Sequence, residues 1–297
     1  MIKKIETESL EIGYREYGNT NDIPVILLHG FPYDINAYNE SSAILSQKGF
    51  RVLTPYLRGF GQTTFKDIST MRTGQQAAIA KDVIDFMDAL KIPKAIIAGY
   101  DWGGRTACIV SALWPERVLG LVSIGGYTIQ NILSNAEPLP PNMEQLYWYQ
   151  YYFQTERGRK GLKKYRKELC KILWTEWSPI WKFDDATFEK TAESYDNPDF
   201  IDVVIHSYKH RYGVVDGDKQ YDDIERLLAT RPIIKVSTIV LEPADDGFVN
   251  HFGFDDHSEH FEGKYLQRIV HGAGHNLPQE TPKEFANAII ELSEWIK

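Results

Sequence analysis

The sequence predicts an α/β protein: a mostly parallel sheet flanked by helices, with a helical segment inserted into it. Three observations carry that prediction. Short apolar runs alternate with helical patterns as far as residue 125. The alternation then stops between about residues 127 and 228, which read as helical, aromatic and charged. Strand-like runs resume at residue 237 and lead to a C-terminal helix.

Taken in order, Leu10, Ile12 and Tyr14 share a face at strand period, and residues 19–22 read as a turn. Val25, Ile26, Leu27 and Leu28 form a continuous apolar run ending at His29-Gly30, the pattern of a strand covered on both faces. Residues 51–53 read as a second strand before Arg58-Gly59-Phe60-Gly61, an element expected to shape a loop. Ile79, Val83, Phe86, Met87 and Leu90 follow helical spacing. Ala95, Ile96, Ile97 and Ala98 make another buried strand, which turns at residues 99–103 into a helix ending before Pro115. Residues 119–124 are a further strand, closed by Gly125-Gly126. Strand and helix in this repeated order imply parallel pairing through crossovers.

Pro138, Pro140 and Pro141 stand at the entrance of the inserted segment and Arg231-Pro232 at its exit, and it holds Trp148, Trp174, Trp177 and Trp181. The basic run over residues 157–171 reads as the wet face of a helix whose apolar side carries Leu162, Tyr165 and Leu169. Strands are expected over 237–241 and 265–270, and Phe285, Ile289, Leu292 and Ile296 mark the last helix. The expected division is a core of residues 1–126 and 231–297 with a helical lid of residues 127–230.

Composition narrows the function. At 297 residues, 43% hydrophobic and 25% charged, the chain has ordinary globular usage, which excludes disordered and fibrous classes. A net charge of −8 argues against nucleic-acid and anionic-membrane partners. No apolar run reaches the roughly 20 residues that span a bilayer. The two N-terminal lysines have no apolar stretch behind them, so no secretory signal is expected and the location expected is cytoplasmic. Cys108 and Cys170 make neither a disulfide framework nor a metal spacing, Cys108 reading as a small core residue. His251, Asp255, Asp256, His257 and His260 look superficially like metal ligands but read as a polar excursion, and no metal is expected.

The chemistry concentrates at Gly99-Tyr100-Asp101-Trp102-Gly103-Gly104, between a buried strand and a helix. Small residues flanking such a turn let strand and helix backbones approach while one side chain projects, the setting of a nucleophile elbow. The projecting residue is Asp101, and no G-x-S-x-G occurs in the chain. The alternative is that Asp101 only caps the following helix. A base is offered by His275 in Gly272-Ala273-Gly274-His275-Asn276, on a loop at the end of the last strand. Either Asp245 or Asp246, in Leu241-Glu242-Pro243-Ala244-Asp245-Asp246-Gly247, could orient the imidazole.

His29-Gly30-Phe31-Pro32, Arg58-Gly59-Phe60-Gly61, the Asp-Trp-Gly-Gly elbow and Gly-His-Asn together resemble the α/β-hydrolase family, specifically its epoxide hydrolases. The motifs span nearly the whole chain. The resemblance implies that the backbone N–H groups of Phe31 and Trp102 stabilise an oxyanion, that Asp246 is the acid, and that His29 is structural. It also implies two lid tyrosines that polarise and protonate the epoxide oxygen: Tyr149, within Tyr147-Trp148-Tyr149-Gln150, and Tyr208, within His206-Ser207-Tyr208-Lys209. The implied reaction opens an epoxide to a vicinal diol through an ester on Asp101, with water activated by His275 and no cofactor.

Aspartate suits that reaction because it is charged at neutral pH and needs no base to attack saturated carbon, which leaves histidine for water. Haloalkane and haloacetate dehalogenases are similar in using an Asp-His-Asp set, with indole N–H groups such as those of Trp102, Trp148, Trp174 or Trp177 for the halide. Haloalkane dehalogenases commonly carry His-Gly-Asn-Pro, however, where this chain has Phe31, and fluoroacetate-type enzymes follow the nucleophile with Arg where it has Trp102. A ligand-binding protein without turnover is the third reading. The substrate expected is a small apolar epoxide, or a halogenated compound. Oligomeric state is open, a homodimer included.

Overall fold

The computed structural model describes residues 1–132, 137–248 and 256–296. Its sheet contains β1 (Lys3–Glu6), β2 (Leu10–Tyr17), β3 (Ile23–Leu28), β4 (Phe50–Pro55), β5 (Thr64–Phe65), β6 (Ala95–Gly99), β7 (Val118–Ile124), β8 (Thr238–Pro243) and β9 (Tyr265–Val270). The strand order is β1-β2-β4-β3-β6-β7-β8-β9, with β5 on β2. The six strands from β4 through β3 to β9 pair in parallel. The β2 strand runs antiparallel to β1, β4 and β5.

The continuous apolar runs become the centre of the sheet, where β6 is buried along its whole length. At the antiparallel edge Leu10, Ile12 and Tyr14 are buried as their alternation predicts. Two elements there were not legible. The β1 strand, Lys-Lys-Ile-Glu, is polar and mostly exposed, and it exists because β2 offers it a ladder. The two residues of β5 likewise pair with Leu10 and Glu11.

The helices are α1 (Asn39–Ser46), α2 (Gln76–Ala89) and α3 (Trp102–Leu113), then α4 (Pro141–Glu144), α5 (Trp148–Phe153), α6 (Glu156–Trp177), α7 (Asp185–Ala192), α8 (Phe200–Arg211) and α9 (Asp222–Ala229), and finally α10 (Leu277–Glu280) and α11 (Pro282–Trp295). The α1 helix packs on α11 and α2 on α3, giving the sheet its flanking layers. Helices α4 to α9 all fall between β7 and β8, where the strand pattern lapses.

Thr155 caps α6 by accepting from the Gly158 N–H at 2.9 Å. Leu162 and Leu169 are buried on the helix's inner side, but Tyr165 is not: it is 49% exposed. Its backbone leaves the helical region (φ −125°, ψ 33°), and the kink rotates the ring outward beneath the Lys164 ammonium. An unbroken helix would have placed all three on one face.

The chain leaves β3 for β4 on one side and returns to β6 on the other. This reversal opens a crevice at the carboxyl ends of β3 and β6, the position where open parallel sheets bind ligands. Gly30-Phe31 and Asp101 emerge there. Arg58 is fully engaged elsewhere, with Nε and Nη2 both donating to the Asp82 carboxylate of α2 at 2.6 Å, so it pins the loop after β4.

Candidate active site

Asp101 sits between β6 and α3 with φ +53° and ψ −123°, a conformation costly for a residue with a Cβ. It makes no side-chain capping bond to α3, so the cap-only alternative does not describe it. Two glycines make the conformation sterically feasible. A Cβ on Gly103 would lie 1.9 Å from the Leu28 carbonyl oxygen, and one on Gly30 would lie 2.4 Å from the Asp101 Cβ.

The carboxylate is held by backbone. The Phe31 N–H donates to Asp101 Oδ1 at 2.7 Å. Its other oxygen, Oδ2, faces His275 Nε2 across 3.6 Å, longer than a hydrogen bond. On the far side of the imidazole, Nδ1 lies 2.8 Å from Asp246 Oδ2. Asp246 is itself fixed by the Phe248 N–H at 2.7 Å. Asp245 turns away to accept from the Gly272 N–H at 2.8 Å. The geometry therefore brings Asp101, His275 and Asp246 into one line and leaves Asp245 outside it.

The side chains of Asp101 and His275 are only 17% and 15% exposed. Burial opposes the imidazolium, but Asp246 and Asp101 on its two sides outweigh it and lift the His275 pKa to about 10. Burial also opposes the Asp101 carboxylate, yet His275, the Trp102 N–H and Arg105 hold its pKa below the usual range. The resting site is thus an imidazolium between two carboxylates.

Tyr149 of α5 and Tyr208 of α8 meet edge to face, ring centres 5.4 Å apart. Both lie over Phe31, at 6.3 and 5.6 Å, and Tyr208 lies 5.7 Å from Trp102. They therefore stand against Phe31, whose N–H holds Asp101, and Tyr208 also against Trp102, the residue after Asp101. Both rings are buried, which raises their phenol pKa values and keeps them protonated. Gln150 donates to the Tyr149 oxygen at 2.7 Å.

Several positioning residues escaped the sequence. Glu280 of α10 accepts from the N–H groups on both sides of His275, Gly274 at 2.8 Å and Asn276 at 3.0 Å, and from Ser178 Oγ at 2.7 Å. An acid a few residues after the histidine, closing a one-turn helix, was the available signal. The Trp177 carbonyl receives both the Gly247 N–H at 3.0 Å and the His275 N–H at 3.2 Å, tying the acid and histidine loops to the end of α6. Trp174 Nε1 and the Tyr195 hydroxyl both donate to the Pro32 carbonyl, at 2.9 and 2.5 Å, bracing the loop that carries Phe31. Nothing in the local sequence marks these long-range partners.

Outside this centre, His29 is wholly buried, and its Nε2 accepts from the Leu57 N–H at 3.1 Å. Burial presses its pKa down to about 4. Of the metal-like cluster, His251 and Asp255 lie outside the described residues. His260 stacks on Tyr127 with ring centres 4.1 Å apart, and among the described residues no three acid, thiol or imidazole groups are arranged to hold a metal ion.

The family model of the alpha/beta hydrolase fold matches residues 23–278. A crystal structure of a candidate epoxide hydrolase from Klebsiella pneumoniae subsp. pneumoniae MGH 78578 is 45% identical, with a TM-score of 0.95 and coverage of 99% of this chain and 97% of that one. Epoxide hydrolase A of Mycobacterium tuberculosis is 20% identical, the match covering 97% of this chain and 95% of that protein. Epoxide hydrolase 2 of Siraitia grosvenorii is 33% identical over 100 residues, which are 34% of this chain and 31% of the relative. The chain thus matches about a third of the length of that curated relative. No helix of the described residues is long and apolar enough to cross a membrane. With its family model, its sheet order and its elbow in agreement, the chain belongs to the α/β-hydrolase fold family.

Proposed function

We propose that this protein is an epoxide hydrolase in which Asp101 attacks a ring carbon and residues 127–230 act as the lid. The observation that carries the reading is a pair of buried tyrosines packed edge to face against each other and on Phe31, whose N–H holds the Asp101 carboxylate. Asp101 Oδ2 is the attacking atom, because Oδ1 is engaged by the Phe31 N–H. As the C–O bond of the epoxide breaks, Tyr149 or Tyr208 gives its proton to the departing alkoxide, which is too poor a leaving group to depart unprotonated. The product of this step is a hydroxyalkyl ester on Asp101.

Ester formation removes one of the two carboxylates that hold the imidazolium proton. The His275 pKa then falls, and the proton it sheds replaces the one the tyrosine gave up. Neutral His275, oriented by Asp246, next takes a proton from water, which adds to the ester carbonyl. The oxyanion forms at Oδ1, where the Phe31 N–H donates and the Trp102 N–H is the proposed second donor, each such donor contributing about 3 kcal/mol. On collapse the departing alkoxide takes the proton from the His275 imidazolium and leaves as the diol, and the Asp101 carboxyl group then gives its proton back to His275, restoring the carboxylate and the imidazolium.

A dehalogenase would need indole N–H groups free for halide. The Trp174 N–H is committed to Pro32, and Trp148 Nε1 lies 3.4 Å from Glu176 on the exposed side of the lid. Trp102 Nε1, by contrast, is buried with no hydrogen-bond partner among the described residues, so the indoles alone do not decide against a halide; the buried Tyr149 and Tyr208 pair supports the epoxide reading. The test is His275→Gln incubated with styrene oxide and examined by intact mass. An ester mapped to Asp101 is the expected result; an unmodified, fully active variant would overturn the scheme.

A further inference from the structure

Gln150 of α5 is buried, only 1% exposed, and its amide brings both donor and acceptor capacity into the lid. Its Nε2 lies 2.7 Å from the Tyr149 hydroxyl oxygen. Its Oε1 accepts from Arg211 Nη1 at 3.4 Å and from the Tyr212 hydroxyl at 3.3 Å, both at the end of α8. Consecutive residues of a helix do not ordinarily face each other. The amide reaches back to Tyr149 because its other end is anchored on α8. Its backbone is tied to the same helix. Gln154 Nε2 donates to the Gln150 carbonyl at 2.8 Å and to the Tyr208 carbonyl at 3.1 Å, joining the segments that carry the two tyrosines.

The direction of the bond to Tyr149 follows from the far end of the amide. A guanidinium only donates, so the amide atom facing Arg211 is the oxygen and the one facing Tyr149 is the N–H. The Tyr149 oxygen therefore accepts, and its own hydrogen is left for another partner. An N–H held at that oxygen binds a phenolate about twice as strongly as a phenol, which favours release of the proton. Burial and the field of Tyr208 raise the Tyr149 pKa, and the Arg211 charge and the Gln150 bond oppose them.

We propose that Gln150 is a positioning residue for epoxide opening: its amide turns the Tyr149 hydrogen toward the substrate oxygen and holds the phenolate left behind. The inference rests on the epoxide reading of Asp101 and Tyr149. As Asp101 Oδ2 bonds to the ring carbon, the carbon–oxygen bond breaks, its electron pair stays on oxygen, and the Tyr149 proton moves to that oxygen. The Gln150 N–H then stabilises the phenolate until the His275 proton restores it.

The experiment is single-turnover ester formation from styrene oxide, read by rapid quench and intact mass. Gln150→Met keeps the length of the side chain and loses the amide. The rate of ester formation should fall about tenfold or more, the range of a hydrogen bond to a charged group, with the epoxide dissociation constant changed by less than about twofold. The same substitution should cost nothing further in a Tyr149→Phe background and its full factor in Tyr208→Phe. An unchanged rate in Gln150→Met, or an equal loss in the Tyr149→Phe background, overturns the proposal. Gln150→Glu fills the same space but accepts the Tyr149 hydrogen instead of donating, so it should be at least as slow as Gln150→Met; a wild-type rate overturns the proposal. If the wild type forms neither ester nor diol, the epoxide reading falls. Tyrosine labelled with carbon-13 at Cζ, with Tyr149 assigned through Tyr149→Phe, then decides without turnover. A Tyr149 resonance moved by Gln150→Met, with that of Tyr208 in place, keeps the orienting bond, and an unmoved one removes it.

Discussion

Gly103→Ala tests whether the elbow depends on close backbone approach. The added Cβ would lie 1.9 Å from the Leu28 carbonyl oxygen and 2.6 Å from that of His29. Carbon and oxygen approach to about 3.3 Å, so β3 and α3 must separate by about 1.4 Å at this point. Backbone lies on both sides of the contact, and no rotamer change can relieve it. The expected cost is about 4 kcal/mol, at the upper end for a core overpacking, and the melting temperature should fall by about 10 °C. The same movement would stretch the bond from the Phe31 N–H to Asp101, now 2.7 Å, beyond hydrogen-bond reach. Loss of one oxyanion donor corresponds to a drop of about a hundredfold or more in kcat. Thermal denaturation by circular dichroism and steady-state hydrolysis of styrene oxide measure the two effects. A variant melting within about 2 °C of the wild type with unchanged kcat would refute the argument that this approach builds the site.

Two other changes probe the histidine. Asp246→Asn removes the stronger of the two negative partners, so the His275 pKa should fall well below about 10, read from the pH titration of its ring protons by NMR; an unmoved titration would contradict the assignment. Because the folded pKa lies above the ordinary value of about 6.5, the stabilisation from His275 is fully present below that pH and is lost as pH rises through about 10. Urea unfolding at increasing pH should therefore show wild-type stability declining across this window, and a flatter profile in Asp246→Asn. Glu280→Ala strands three buried donors, the N–H groups of Gly274 and Asn276 and the Ser178 hydroxyl. At about 1 kcal/mol or more each, this should lower the melting temperature measurably and reduce kcat more than it changes KM. An unaltered kcat would show that the loop holds His275 without it.

The parts of the molecule written in local pattern could be read directly. The runs at Val25 to Leu28 and Ala95 to Ala98 had to be central strands, since nothing else buries so many consecutive apolar residues in so short a stretch. The glycines around Asp101 mark a tight turn in the sequence itself. Conversely, β1 is a strand through its partner, not its own composition, and Tyr165 faces outward because a kink interrupts the period on which its expected burial relied.

The acid shows the same boundary. Asp245 and Asp246 are adjacent and identical in kind, so pattern cannot rank them; the fold turns one to Gly272 and the other to His275. Glu280 and the Trp177 carbonyl belong to the same class. The sequence determined the sheet, the turn and the residue types that populate the crevice, because those follow from periodicity and steric demand over a few residues. Which groups face one another across that crevice was decided by tertiary structure, because hydrogen bonds and electrostatic fields depend on distances between segments far apart along the chain.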